Sequence, residues 1–255
     1  MNQPLVSIIT PTYNSERFLC ETIDSILNQT YENWELLVTD DCSTDSTWVI
    51  LENYARCDCR IKIFRLSKNR GAGIARNSSI EKAIGRYIAF CDSDDQWTSV
   101  KLEKQVQFMF ENNYALSFSS YRIIDEVGTS LGFVKAKHTV DYKTMLKNNY
   151  IGCLTAIYDV KQLGKFFMPE IRKRQDWALW LSILKKNEYA YGINESLAIY
   201  RDRRDSISAN KFSLIKYNWA IYRNVEKFSL VLSTFLLFQF IFYYVVKKRM
   251  RCCLK

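Results

Sequence analysis

The chain of 255 residues has one histidine, three prolines and eight glycines. Ser/His/Asp and Cys/His catalysis and most zinc sites need imidazole. A lone His138, set in the polar run Lys135-Ala136-Lys137-His138-Thr139, removes those chemistries and is expected at the surface. So few prolines and glycines leave little material for long linkers. Cysteine is not scarce, with Cys20, Cys42, Cys57, Cys59, Cys91, Cys153, Cys252 and Cys253, but there is no Cys-x-x-Cys pair and no hydrophobic signal segment. Reduced thiols in a cytoplasmic protein are therefore expected. With 48% hydrophobic and 25% charged residues the composition is that of a folded protein able to bury a substantial core.

Acidic charge is missing from one region only. Residues 1–200 hold 24 Lys+Arg and 24 Asp+Glu, whereas residues 201–255 hold 12 and 3, so the whole net charge of +9 belongs to the last 55 residues. A basic chain raises nucleic acid as a partner, but no recognition motif accompanies the charge and no nucleic-acid partner is expected. A neutral domain with a basic attachment fits better.

The first half alternates strand and helix signals. Leu5-Val6-Ser7-Ile8-Ile9-Thr10, stopped by Pro11, reads as a buried strand. Asn14 or Ser15 then caps a helix carrying Phe18, Leu19, Ile23, Ile26 and Leu27 to about Gln29. Trp34–Val38 precedes Thr39-Asp40-Asp41 and a helix over 44–54, and Ile61–Leu66 precedes a helix over 72–84 with Gly85 at its C′ position. Tyr87–Cys91 runs straight into Asp92-Ser93-Asp94-Asp95. This alternation predicts a mixed, mostly parallel α/β sheet with helices on both faces. Beyond residue 115 the pattern weakens to strand-like runs at 115–119, 121–124 and 153–158 and a helix over 176–186, closing one domain near residue 205.

Ligands of open parallel sheets lie beyond the carboxyl ends of the strands. Here those ends are Pro11-Thr12-Tyr13-Asn14, Asp40-Asp41, Asn69-Arg70-Gly71 and Asp92-Ser93-Asp94-Asp95. An Asp-x-Asp suits a hard divalent cation, Mg²⁺ or Mn²⁺, shared with substrate phosphates. An acidic helix start favoured by the macrodipole is the simpler alternative; acids at a neighbouring strand end favour the metal. Gly71-x-Gly73-x-x-Arg76 lacks the third glycine of a dinucleotide fingerprint, and there is no Walker-type phosphate loop.

Together, Val6–Asn14, Asp40–Asp45, Asn69-Arg70-Gly71 with Ala75-Arg76-Asn77, and Asp92–Trp97 resemble an inverting family 2 glycosyltransferase, densely over residues 5–97 and more weakly to about 208. The resemblance implies an A-type nucleotide-diphospho-sugar transferase (GT-A) fold acting in bacterial polysaccharide synthesis. It implies donor contacts from Pro11, Thr12, Tyr13, Asn14, Asn69, Gly71, Arg76, Asp92 and Ser93, with Asp41 accepting from a uracil N–H. A UDP-sugar is favoured over a dTDP-sugar. Asp94 and Asp92 match metal ligands. Asp176, in Gln175-Asp176-Trp177, matches the carboxylate that takes the acceptor hydroxyl's proton. Tyr200–Ser208 resembles the family's closing loop without its histidine, and Arg203 or Arg204 is available to neutralise the departing diphosphate. A catalytically silent nucleotide-sugar binder acting as a membrane assembly partner is the second reading.

Residues 1–208 thus form the expected catalytic domain, with 1–97 as the nucleotide half and 98–208 as the acceptor half. Residues 209–255 form a C-terminal helical attachment. Positions 228–246 carry no charge and, as a helix, measure about 28 Å, near the minimum for a bilayer span. A simple span would send Lys247, Lys248, Arg249, Arg251 and Lys255 outward against the positive-inside preference. The expectation is therefore a helix or hairpin lying in or re-entering the cytoplasmic leaflet, with those cations at anionic head groups and a lipid-linked glycan as acceptor. A helix packed on another subunit is the rival.

Overall fold

A computed structural model of the chain describes residues 3–203 and 211–252. In order the elements are β1 (Val6–Thr12), α1 (Leu19–Leu27), β2 (Trp34–Asp40), α2 (Thr47–Cys57), β3 (Ile61–Arg65), α3 (Ala72–Lys82), β4 (Tyr87–Phe90), β5 (Gln96–Trp97) and α4 (Lys101–Asn112). There follow β6 (Leu116–Ile124), β7 (Ser130–Val134), β8 (Thr139–Asp141), α5 (Tyr142–Lys147), β9 (Ile157–Asp159), α6 (Val160–Leu163), α7 (Gln175–Leu184), β10 (Tyr189–Arg201), α8 (Lys211–Ala220) and α9 (Leu230–Cys252). The strands make one sheet in the order β3-β2-β1-β4-β9-β6-β10-β5, with β7 beside β6 and β8 beside β10. The pairs β3-β2, β2-β1, β1-β4 and β6-β10 are parallel, while β9 runs antiparallel between β4 and β6. This is the mixed, mostly parallel sheet that the sequence predicts.

Successive residues of a strand face opposite sides, and β1 divides the core accordingly. Ile8 packs with Leu19, Ile23, Leu51, Leu102 and Val106 of α1, α2 and α4. Ile9 packs with Ile80, Met145, Trp177, Trp180 and Leu181 of α3, α5 and α7. Both faces are covered, so every residue of β1 and β2 is buried.

Local expectations change at four points. The first helix begins at Leu19 rather than at Asn14 or Ser15, because both residues are committed to neighbouring loops. Asn14 adopts a left-handed backbone (φ 47°) and its Oδ1 accepts from Thr44 N, while Ser15 N donates to Thr47 Oγ1. Gly85 is not a left-handed helix terminator: α3 stops at Lys82 with Ala83 extended, and Gly85 serves close approach to β1, since a Cβ there would lie 2.7 Å from Ser7 N. The runs at 115–119 and 121–124 are one continuous strand, β6. The first part of 153–158 is a 3₁₀ turn, Cys153–Thr155, in which Thr155 Oγ1 donates to Gly152 O. His138 is exposed, as expected, and Cys20, Cys42, Cys57, Cys59, Cys91 and Cys153 are all free thiols.

Lys101 is fully buried at the start of α4. Its Nζ donates to Gln105 Oε1 at 2.9 Å and lies 4.2 Å from the centre of the Trp97 ring. Burial pushes the ammonium down to about 7. The native state therefore holds this proton less tightly than the unfolded chain between pH 7 and the usual lysine range, and stability rises with pH across that window. From pH 7 to 8.5 the gain is expected to be roughly 1.5 kcal/mol. Urea midpoints of the wild type should rise over this interval, and those of Lys101→Met should not; equal slopes would refute the assignment.

Candidate active site

The loops at the carboxyl ends of β1, β2 and β4 are bonded to one another. Thr12 Oγ1 donates to Asp40 Oδ1 at 3.3 Å, Asn14 N donates to Ser43 Oγ at 2.9 Å, and the Ser15 and Ser93 hydroxyls meet at 2.7 Å. Tyr13, beside them, is half exposed. Asp40 is fully buried and is spent on structure, accepting from Ser43 and pairing with Arg65 Nε at 3.1 Å. Asp41 accepts from the backbone N–H groups of Arg70 and Gly71, both at 2.7 Å. A carboxylate has about four lone-pair positions, so two backbone donors leave room for a further one. Gly71 bends the chain here at φ 92°, a conformation that a side chain would strain, and Asn69 lies exposed just before it.

The acidic loop after β4 is gripped by guanidinium groups. Arg76 NH2 pairs with Asp92 Oδ1 at 2.6 Å and Arg203 Nε with Asp94 Oδ2 at 3.0 Å. Asp95 turns inward and accepts from Arg201 N, while Arg201 Nε donates to the Asp94 carbonyl and its NH2 pairs with Glu21. Burial, reinforced by the Asp92 charge, raises the Asp94 carboxyl; burial with the Asp94 and Asp92 charges raises Asp95 well above the usual carboxylate range. Three crowded acids make a place where positive charge is stabilised. Among the described residues no group of three or more His, Cys, Asp and Glu side chains is arranged to hold a metal. Asp92 and Asp94 have the oxygen chemistry that would suit a hard divalent cation completing its shell with diphosphate oxygens and water, and here they are met by Arg76 and Arg203.

Arg76 has a wider reach than its helix position suggests. It is 7% exposed, and its NH1 donates to Gln175 Oε1 at 3.2 Å while its NH2 holds Asp92. Burial is the largest single influence and disfavours its cation, but the Asp92 charge and hydrogen bond, together with smaller support from other groups including Asp176, outweigh it, and the guanidinium stays above its ordinary range. The neighbouring Asn77 pairs with Met168 twice, donating to its carbonyl at 2.9 Å and accepting from its N–H at 2.7 Å. Ala75-Arg76-Asn77 therefore fastens the segment before α7 onto α3. Gly73 makes the approach possible, since a Cβ there would lie 2.8 Å from Gln175 Nε2.

Asp176 occupies the first turn of α7, half-buried, and its Oδ2 accepts from Asn149 Nδ2 at 2.9 Å. A cleft of about 240 Å³ reaches the preceding residue, Gln175, and is lined by Arg70, Gly71 and Gly73 on one side and residues 169–172 with Gln175 on the other. The structure thus brings Arg76, Asp92 and the start of the Asp176 helix into one chain of contacts, with Arg203 on Asp94. Arg204 lies outside the described residues. Sequence reasoning missed Gln175, Asn149 and Arg201 as supports; the signals available were the place of Gln175 beside Asp176 and of Arg201 within the run 200–208.

Residues 7–166 match the family model for glycosyl transferase family 2. The chain belongs to that family. This glycosyltransferase is 46% identical over 239 residues to TuaG of Bacillus subtilis (strain 168), a glycosyltransferase named for teichuronic acid biosynthesis, covering 93% of this chain and 95% of TuaG. It is 42% identical over 222 residues to WfgD of Escherichia coli, a UDP-Glc:alpha-D-GlcNAc-diphosphoundecaprenol beta-1,3-glucosyltransferase, covering 87% and 86% of the two chains. Its fold is similar to that of S. aureus TarS in complex with UDP-GlcNAc, with a TM-score of 0.71 at 22% identity over 92% of this chain and 71% of that one. The GT-A-like architecture expected from the strand-end motifs is therefore present in this glycosyltransferase.

Proposed function

We propose that the glycosyltransferase moves a sugar, with inversion, from a UDP-sugar to a hydroxyl of a saccharide carried on a lipid diphosphate, at the cytoplasmic face of a membrane. The observation that carries this reading is Arg76, one guanidinium touching both Asp92 and Gln175, so that a diphosphate-type acidic loop and the helix bearing Asp176 share a single anchor. WfgD's name, which gives a UDP-glucose donor and a diphosphoundecaprenol acceptor, and the UDP-GlcNAc bound by TarS support the substrate classes. Residues 1–208 act as the catalytic unit, with the nucleotide half ending near 97, and residues 209–255 as the membrane-associating segment.

In this reading Pro11, Thr12, Tyr13, Asn14, Asn69, Gly71 and Ser93 line the donor, and Asp41 accepts from the uracil N–H with the capacity that its two backbone donors leave. Asp92 and Asp94 would hold Mg²⁺ or Mn²⁺, which would supply positive charge against the diphosphate. The acceptor oxygen bonds to the anomeric carbon as its proton passes to Asp176. The bond from that carbon to the diphosphate oxygen breaks, and its electron pair leaves with UDP. Arg203, released from Asp94, meets the new charge. Asn149 keeps the Asp176 carboxylate oriented throughout.

The test is acceptor-dependent UDP release from a panel of UDP-sugars with Mg²⁺ or Mn²⁺. Asp94→Ala should reduce it by about 10²-fold or more. Tight donor binding in calorimetry with no release across a broad acceptor panel would refute catalysis and favour the silent binder.

A further inference from the structure

α9 has two unlike faces. Ser233, Leu236 and Phe240 are buried, and Leu236 belongs to the same core as Trp177 and Trp180. On the far side Val231 is 80%, Phe235 61% and Phe238 68% exposed, spaced so that they form one stripe along the helix. A soluble surface rarely arranges large apolar side chains this way. No acid occurs between Lys227 and Lys255, while Lys247, Lys248, Arg249, Arg251 and Lys255 follow the stripe in sequence. Among the described residues no helix is long and apolar enough to cross a membrane.

The chain is fastened to the catalytic body just before α9 begins. The Glu226 carboxylate, fully buried, pairs with Lys185 Nζ at 2.7 Å and accepts from Tyr142. Further along, the Phe240 ring lies 5.5 Å from the Arg174 guanidinium, which also lies 5.3 Å from the Trp177 ring. Arg174 immediately precedes Gln175 and Asp176, so α9 lies against the entrance to the helix that carries the proposed base.

We infer that the Val231-Phe235-Phe238 stripe of α9 beds side-on into an anionic lipid surface. This orients the Asp176 side of the site toward a saccharide held at that surface. An apolar stripe followed by cations without acids is the pattern of an interfacial helix, whose apolar side enters the head-group boundary and whose basic residues meet anionic lipid. A span would have to strip Ser233, Leu236 and Phe240 from the core, whereas a side-on helix leaves their packing intact. The consequence for lipid-linked acceptors rests on the proposed transfer reaction; the lipid contact itself does not.

Flotation of the full chain without donor separates the two. The chain should float with vesicles of phosphatidylcholine and phosphatidylglycerol, float poorly with phosphatidylcholine alone, and be released by alkaline carbonate. The double variant Phe235→Glu with Phe238→Glu should lose at least about tenfold in partitioning, and Phe238→Ser should fall between the two. Near-UV dichroism and turnover of a water-soluble saccharide should be unchanged in both, while the KM for a lipid-linked saccharide in vesicles rises. Unaltered flotation of the double variant would overturn the inference. So would retention after carbonate, which indicates a span, or loss of a dimer in sedimentation, which indicates a second copy as the occupant. If flotation behaves as stated but no donor is turned over, the lipid contact stands and the proposed reaction falls.

Discussion

Asp176→Asn is expected to lower acceptor-dependent sugar transfer by about 10²–10⁴-fold, the usual worth of a general base, with donor affinity unchanged. The substitution keeps the shape of the side chain and its place in the first turn of α7, where the core contacts come from Trp177, Trp180 and Leu181 rather than from residue 176. What it removes is the capacity to take a proton. In the proposed assignment donor binding belongs to the other end of the contact chain, to the strand-end loops and Arg76, while the hydrogen-bond partner of the Asp176 carboxylate is Asn149. Single-turnover rates alongside calorimetric donor titration would separate the two effects. A variant that transfers sugar at the wild-type rate would remove Asp176 from the chemistry, and one that loses donor affinity as steeply as rate would make it a structural residue.

Arg76→Ala should have the largest effect on stability, about 3 kcal/mol, because deleting one member of a buried ion pair leaves the rest of the network uncompensated. The change abandons Asp92, frees Gln175 Oε1 and opens a hole beneath Met168. Asp92 is partly exposed, so water recovers some of the loss, which keeps the figure at the lower end for buried pairs. Arg76→Lys restores charge but not the fork that reaches Asp92 and Gln175 together. It should recover part of the stability while transfer remains impaired. Urea unfolding read beside kcat/KM would show the split; a shift below about 0.5 kcal/mol for the alanine variant would place Arg76 among ordinary surface residues.

The first 97 residues were legible because their central strands, β1, β2 and β4, are buried on both faces. Val6, Ile8 and Ile9 of β1, Trp34, Leu36, Leu37 and Val38 of β2 and all of β4 are apolar, and each strand stops where a polar loop begins, so the carboxylates after β2 and β4 stand out. The second half hid itself for a physical reason. β6 carries Ser117, Ser119 and Ser120 within the sheet, each satisfied by local or cross-sheet hydrogen bonds, and β10 continues through Gly192, Asn194 and Glu195 for 13 residues with irregular pairing to β6. Polar residues at such positions weaken the alternation on which a sequence reading depends. Asp176 could be found through its aromatic neighbour, but Asn149 and Gln175 act across loops with no periodicity, and only the folded chain brings them to their partners. The helix start at Leu19 was missed for a similar reason, since Asn14 and Ser15 have the chemistry of caps and spend it on other loops.

The pairing of Asn77 with Met168 and of Arg76 with Gln175 has a mechanical consequence. Both contacts cross from residues 1–97 to residues 98–208, and β9 of the second stretch lies in the sheet directly against β4 of the first. Swinging one half away from the other would tear a continuous hydrogen-bonded sheet and break buried contacts at once, so among the described residues there is no hinge along this line. Any closing over a bound sugar nucleotide falls to side chains and single loops moving on a stationary frame. In the proposed transfer, donor and acceptor dock onto a scaffold whose strand-end loop and α7 are already tied together through Arg76.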